Sequence, residues 1–82
     1  MVAAFVGIKV GPGELDKAWI KNVRENVKKM AGVKEVYSVM GSFDLMTKVE
    51  AKSIEELSNI VIDGIRVTPG VLSTETLLIV AP

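Results

Sequence analysis

Eighty-two residues make one domain, and at this length an isolated core is marginal. The chain has no Cys and no His, which excludes disulfides, thiolate or imidazole metal sites and the commonest general base; oligomerisation is the remaining route to extra burial for a sequence that is 49% hydrophobic. Ten basic and ten acidic side chains balance, which argues against a dedicated nucleic-acid binder.

Residues 2–10, VAAFVGIKV, predict a strand closed by the breaker Gly11-Pro12-Gly13. Val2, Ala4, Val6, Ile8 and Val10 form one wholly apolar face of it. Residues 14–31 predict a helix, because Leu15, Trp19, Val23, Val27 and Met30 recur on one stripe. Glu14 and Asp16 suit its first turn, Lys28 and Lys29 its last, and Gly32 a C-cap. Lys17, Lys21 and Arg24 alternate with Glu14, Asp16 and Glu25, so this cluster reads as a solvated helix face.

Residues 33–40 and 43–50 predict two strands joined by a tight turn at Gly41-Ser42, hence an antiparallel hairpin. Phe43, Leu45, Thr47 and Val49 are expected on one face, and Tyr37 on the side of Val33 and Val39. Ser53 with Glu56 marks a capping box opening a second helix with the stripe Ile54, Leu57, Val61 and Ile65, widened by Ile60 and Ile62. Pro69-Gly70 ends it, and residues 71–80 predict the last strand.

Two βαβ halves joined by a hairpin, with right-handed crossovers, give an α+β fold of βαββαβ order. This is the ferredoxin-like arrangement: a four-stranded antiparallel sheet with both helices on one face. Residues 2–10, 33–40 and 77–80 carry apolar side chains on both sides, so the uncovered face is expected to be an apolar patch. A second copy packing sheet to sheet would cover it, which predicts a two-fold homodimer.

The start of the chain lacks a basic region, and no apolar run approaches a membrane span. Together with the absence of Cys this leads to an expected cytoplasmic location and no membrane partner. Gly11-Pro12-Gly13 lacks the spacing of a phosphate loop. Glu55 and Glu56 read as first-turn acids, and no metal ligand set or cofactor motif is present. Trp19 reads as packing on its helix stripe. The hairpin run from Val39 to Asp44 is more informative. Backbone amides at Gly41 and Ser42 beside the carboxylate of Asp44 suit a zwitterion, the amides for its carboxylate and Asp44 for its ammonium. The equal alternative is that Asp44 simply caps the turn. Ser73, Thr74 and Thr76 are hydroxyls that either serve a pocket or reflect strand propensity.

The run AGVKEVYSVMGSFDL at 31–45, followed after a helix by PGVLSTETL at 69–77, resembles the effector-binding domain of the Lrp/AsnC transcription regulators, the RAM domain (regulation of amino acid metabolism). The resemblance covers essentially the whole chain. It implies dimers that associate further, often into an octameric ring of four dimers, with an amino acid bound between dimers. The matching pocket positions are Met40, Gly41, Ser42 and Asp44, with Ser73, Thr74 and Thr76 on the last strand; this favours the ligand reading of Asp44. The family's regulators carry a helix-turn-helix ahead of this module. Nothing here corresponds to it, so residues 1–82 are expected to be a stand-alone RAM domain without a DNA-binding domain and without direct nucleic-acid contact. Co-assembly with full-length regulators of the family is the expected partnership.

The leading expectation is therefore a non-enzymatic, amino-acid-sensing assembly module that modulates transcription through such co-assembly. Two alternatives stand beside it. One is a small dimeric α+β-barrel enzyme of the cofactor-free monooxygenase or isomerase type, for which Trp19 and Tyr37 would share a pocket. The other is a structural assembly protein with no ligand.

Overall fold

The computed structural model describes residues 1–11 and 17–81. Its elements are β1 (Val2–Val10), α1 (Lys17–Lys28), β2 (Val33–Ser38), β3 (Leu45–Ala51), α2 (Ile54–Asn59) running on into a π-helical segment at Ile60–Ile65, and β4 (Val71–Leu78). The strands form one sheet of order β2-β3-β1-β4, and every neighbouring pair is antiparallel. The expected ferredoxin-like topology is thus the observed one. Among the described residues no helix is long and apolar enough to cross a membrane.

Alternation along the two central strands decides which face is core. Ala4, Val6 and Ile8 of β1 lie opposite Val49, Thr47 and Leu45 of β3, and all six are fully buried. Val23 and Val27 of α1 and Leu57, Val61 and Ile65 of the second helical stretch cover them. Fully burying each aliphatic side chain of this kind is worth roughly 1.5–3 kcal/mol. A helix as short as α1, marginal alone, is therefore held by its stripe.

Several expected boundaries move. The Gly11-Pro12-Gly13 turn beyond Gly11, Leu15, and the first-turn acids Glu14 and Asp16 lie outside the described residues. α1 stops at Lys28, three residues short of the expected end, and Gly32 lies beyond it rather than at its cap. The chain turns there because Gly32 O accepts from Glu50 N at 2.8 Å. Gly32 has φ +90, and a β-carbon on it would meet Glu50 O at 2.8 Å, so only glycine fits. Ser53 caps α2 as expected, its hydroxyl accepting from Glu56 N at 3.1 Å. Ile54 and Ile62 are solvent-exposed, however, and do not extend the buried stripe.

β2 also departs from simple alternation. A register shift between Val33 and Glu35 leaves Val33 and Val36 opposite Val49 and Thr47 on the core side. Tyr37 therefore stands opposite Met46 on the open side, not on the side of Val33. Thr47, fully buried, donates its hydroxyl to Glu35 O at 2.7 Å and satisfies the carbonyl at this irregularity.

The uncovered face is less apolar than expected. Val33, Val36 and Leu78 turn to the helix side, while Lys9, Glu35, Lys48 and Glu75 occupy the open side. What remains apolar is a band through Tyr37, Met46, Phe43, Phe5 and Leu77. Phe5 and Leu77 are paired neighbours, 41% and 49% exposed.

Candidate functional site

The β2–β3 connection is not a two-residue turn. β2 ends at Ser38 and β3 begins at Leu45, and Val39 N donates to Asp44 O at 3.0 Å to close a longer loop. Met40, Gly41 and Ser42 form its solvent-exposed tip; Met40 is wholly exposed and Gly41 has φ +131. Phe43 does not join Leu45, Thr47 and Val49 on the core face. Its ring lies on the opposite face against Gly7, where a glycine leaves the room.

Asp44 ties this loop to the sheet. β3 pairs with β1 only as far as Ile8, so the end of β1 lacks a backbone partner on that side. Asp44 N donates to Ile8 O at 2.9 Å, and its carboxylate Oδ2 accepts from Val10 N at 2.8 Å. The side chain thus extends the ladder by one rung. Among the described residues the second carboxylate oxygen accepts no hydrogen bond, which leaves it at the base of the exposed tip.

Ser73, Thr74 and Thr76 are not beside that loop. Thr74 and Thr76 are opposite Ile8 and Val6, on the helix side of β4, and Ser73 is opposite Lys9 on the open side. All three line a cleft of ≈ 520 Å³ between β4 and the π-helical segment, together with Ser58, Val61 and Arg66. Within one subunit the expected residues therefore fall into two groups separated by β1.

Ser58 and Arg66 carried no sequence signal as site residues. The one hint was the spacing of Leu57, Val61 and Ile65 at steps of four, which drifts about 40° per step on a 3.6-residue helix. The wider turn, closed by Arg66 N donating to Val61 O at 2.8 Å, keeps all three inward. It also brings Arg66 to the cleft.

Trp19 and Tyr37 do not share a pocket. Trp19 is half-buried on the helix side, against Gly70. Tyr37 is exposed on the open face, its hydroxyl donating to Glu35 Oε1 at 3.1 Å. That hydrogen bond, and then the negative charge of the same carboxylate, raise the phenol above its ordinary value. Among the described residues no cluster of acidic side chains is arranged to hold a metal ion.

Comparison with known proteins places this geometry. The Lrp/AsnC ligand binding domain family matches residues 3–81. An uncharacterised HTH-type transcriptional regulator of Pyrococcus abyssi is 41% identical over 71% of this chain, and the match spans 39% of the regulator. A homocitrate synthase of Saccharolobus islandicus is 42% identical over 95% of this chain but only 16% of the enzyme. The chain thus spans well under half the length of these curated relatives. Among solved structures, TTHA0845 from Thermus thermophilus is similar over 100% of this chain and 96% of its own, with a TM-score of 0.87 and 36% identity. Escherichia coli AsnC is similar over 99% of this chain and 52% of its own, with a TM-score of 0.86 and 26% identity. The transcriptional regulator NMB0573 of Neisseria meningitidis, solved as a complex with L-Met, shares the fold at 16% identity with a TM-score of 0.84. The chain belongs to the Lrp/AsnC ligand-binding-domain family and is related to transcription regulators.

Proposed function

We propose that the chain is an amino-acid-binding assembly module rather than an enzyme. The observation that carries this reading is the family match, which spans residues 3–81. The amino-acid site is the hairpin loop. Gly41 and Ser42 offer backbone amides to a carboxylate, the free oxygen of Asp44 faces an ammonium, and Met40 gives apolar contact at the exposed tip. A loop so open needs a second surface to enclose a ligand, so the site is completed where dimers meet.

The dimer itself forms through the apolar band on the open sheet face, around Phe5 and Leu77. Further association of dimers, to four in a ring, creates the junctions, and occupancy of a junction stabilises the ring by mass action. Full-length regulators of the same family are the partners through which this equilibrium reaches transcription. A match to part of a homocitrate synthase supports the same reading, since a module shared by regulators and a biosynthetic enzyme suits ligand sensing better than one reaction. The separation of Trp19 from Tyr37 also favours binding over catalysis in one subunit.

The test is native mass spectrometry and thermal melting of the wild type and Asp44→Asn with pooled, then single, amino acids. One amino acid should raise the melting temperature and the ring population, and Asp44→Asn should lose the response while melting normally without ligand. A response that is equal in the variant removes the site, and no response to any amino acid removes the function.

A further inference from the structure

We propose that the groove between α1 and the edge strand β2 is a binding site for a phosphate monoester carried on a small apolar body, with Lys21 and Arg24 as its charge partners. The groove, ≈ 380 Å³, is lined by Ile20, Lys21 and Arg24 of α1 and by Ser38, the last residue of β2. The alternation of acids and bases along this stretch reads as a solvated face, but the fold separates the two signs. Glu25 is exposed and does not line the groove, and among the described residues no other carboxylate does. Lys21 and Arg24 are one helical turn apart and so are neighbours on one face. Two cations with no acid to offset them favour a dianion over a monoanion, and they repel the ammonium group of a zwitterion.

The cations are positioned as well as charged. Arg24 is half-buried, and its Nη1 donates to Ser38 Oγ at 3.1 Å, which holds the side chain across from the helix to the end of the strand. That contact uses one of the five guanidinium donors and leaves others for the fork-like contact that phosphate oxygens accept. Ile20 is half-buried against the core and gives the groove an apolar wall for the body of the ester. β2 is at the edge of the sheet, so no neighbouring strand stands beside Ser38 on its outer side. Ser38 also leads directly into the loop that carries Met40, Gly41 and Ser42, so a ligand on Ser38 and Arg24 is felt at the base of that loop.

Three probes separate charge from body in calorimetric titrations at one ionic strength. The pH is about 8, where a phosphate ester, with a second pKa of about 6, is dianionic. Phenyl phosphate carries the dianion and a ring, phenyl sulfate a monoanion and the same ring, and inorganic phosphate the dianion without the ring. Phenyl phosphate should bind at least about fivefold more tightly than either of the others. Lys21→Gln, at an exposed position where the fold is not at stake, and Arg24→Gln should each weaken it by at least about fivefold, and Arg24→Lys should weaken it less. Lys29→Gln, on the same helix but outside the groove, and Asp44→Asn, in the hairpin loop, should leave it unchanged. Equal binding of phenyl sulfate or of inorganic phosphate, no heat at millimolar phenyl phosphate, or an unchanged affinity in either Gln variant of the groove overturns the proposal. An equal loss in Lys29→Gln also overturns it, because binding would then belong to a diffuse basic surface suited to any polyanion. A loss in Asp44→Asn would move the ester to the hairpin loop and overturn this site, without bearing on whether that loop binds an amino acid.

Discussion

The ring of Phe43 lies on Gly7: three of its carbons stand 2.7 Å from where a β-carbon on Gly7 would be. This contact lays the end of the β2–β3 loop against the open face and fixes the base of the tip that carries Met40, Gly41 and Ser42. Gly7→Ala must push the ring away. We expect a loss of about 1–3 kcal/mol in urea unfolding, as for overpacked sites, with amide shifts in residues 39–44 by NMR. A stability within error of wild type and unmoved loop resonances would show the ring to be dispensable.

Asp44 supports the same loop from the other side, through Val10 N. Asp44→Ala removes the acceptor and should cost about 1–2 kcal/mol by equilibrium unfolding. Asp44→Asn keeps an oxygen for Val10 N and should cost clearly less. Equal losses in the two variants would mean that charge, not the hydrogen bond, holds the end of β1.

Thr47 is the polar side chain at the centre of the core, and its hydroxyl serves Glu35 O. Thr47→Val preserves shape and leaves that carbonyl short of a donor, for an expected loss of about 1–3 kcal/mol. Amide exchange should quicken first in β2. A stabilised Thr47→Val would indicate that the carbonyl is satisfied elsewhere.

The single Tyr gives a clean pH readout. Tyr37 donates to Glu35, and the neutral hydroxyl is the favoured form, so its folded-state pKa is raised above the unfolded value. The contribution to stability is therefore complete below pH of about 10 and is lost as pH rises through the folded-state midpoint. Ultraviolet titration of the phenolate should give a midpoint above the free value, Glu35→Ala should restore it, and Glu35→Gln should fall between. A wild-type midpoint at or below the free value contradicts the hydrogen bond.

Phe5 lies opposite Lys48 on one side and Leu77 on the other. Phe5→Glu places a carboxylate across from a lysine, which suits the single subunit, but puts a charge into the proposed sheet-to-sheet interface. Sedimentation at micromolar concentration should show the wild type as a dimer or larger and Phe5→Glu shifted towards a folded monomer. A wild type that sediments as a monomer ends the interface proposal.

Where the residue pattern was regular, the fold was legible. Strict alternation in β1 and at Leu45, Thr47 and Val49 identified the core face, and Ser53 announced its helix. Two of the misreadings on the sheet occur where a residue departs from the strand period. The shift near Lys34 turns Tyr37 to the other face, and no composition signal marks an irregularity that Thr47 stabilises from a different strand. Phe43 reads as one more inward residue until Gly7, far away in sequence, offers it a place. The hairpin tip was legible from Gly41 and Ser42, and for Asp44 the sequence offered a structural and a ligand reading, of which the structure displays a structural hydrogen bond, to Val10 N rather than within the turn. The separation of Ser73, Thr74 and Thr76 from that tip was not legible, because it depends on β1 lying between β3 and β4.

The i→i+5 turn at Ile60–Ile65 acts as a phase adjuster. Deleting one residue from it would restore an ordinary helix and rotate everything downstream by about 100°. Arg66 would then leave the β4 side. A variant one residue shorter in this stretch should therefore keep the sheet and the hairpin tip while turning Arg66 away from β4.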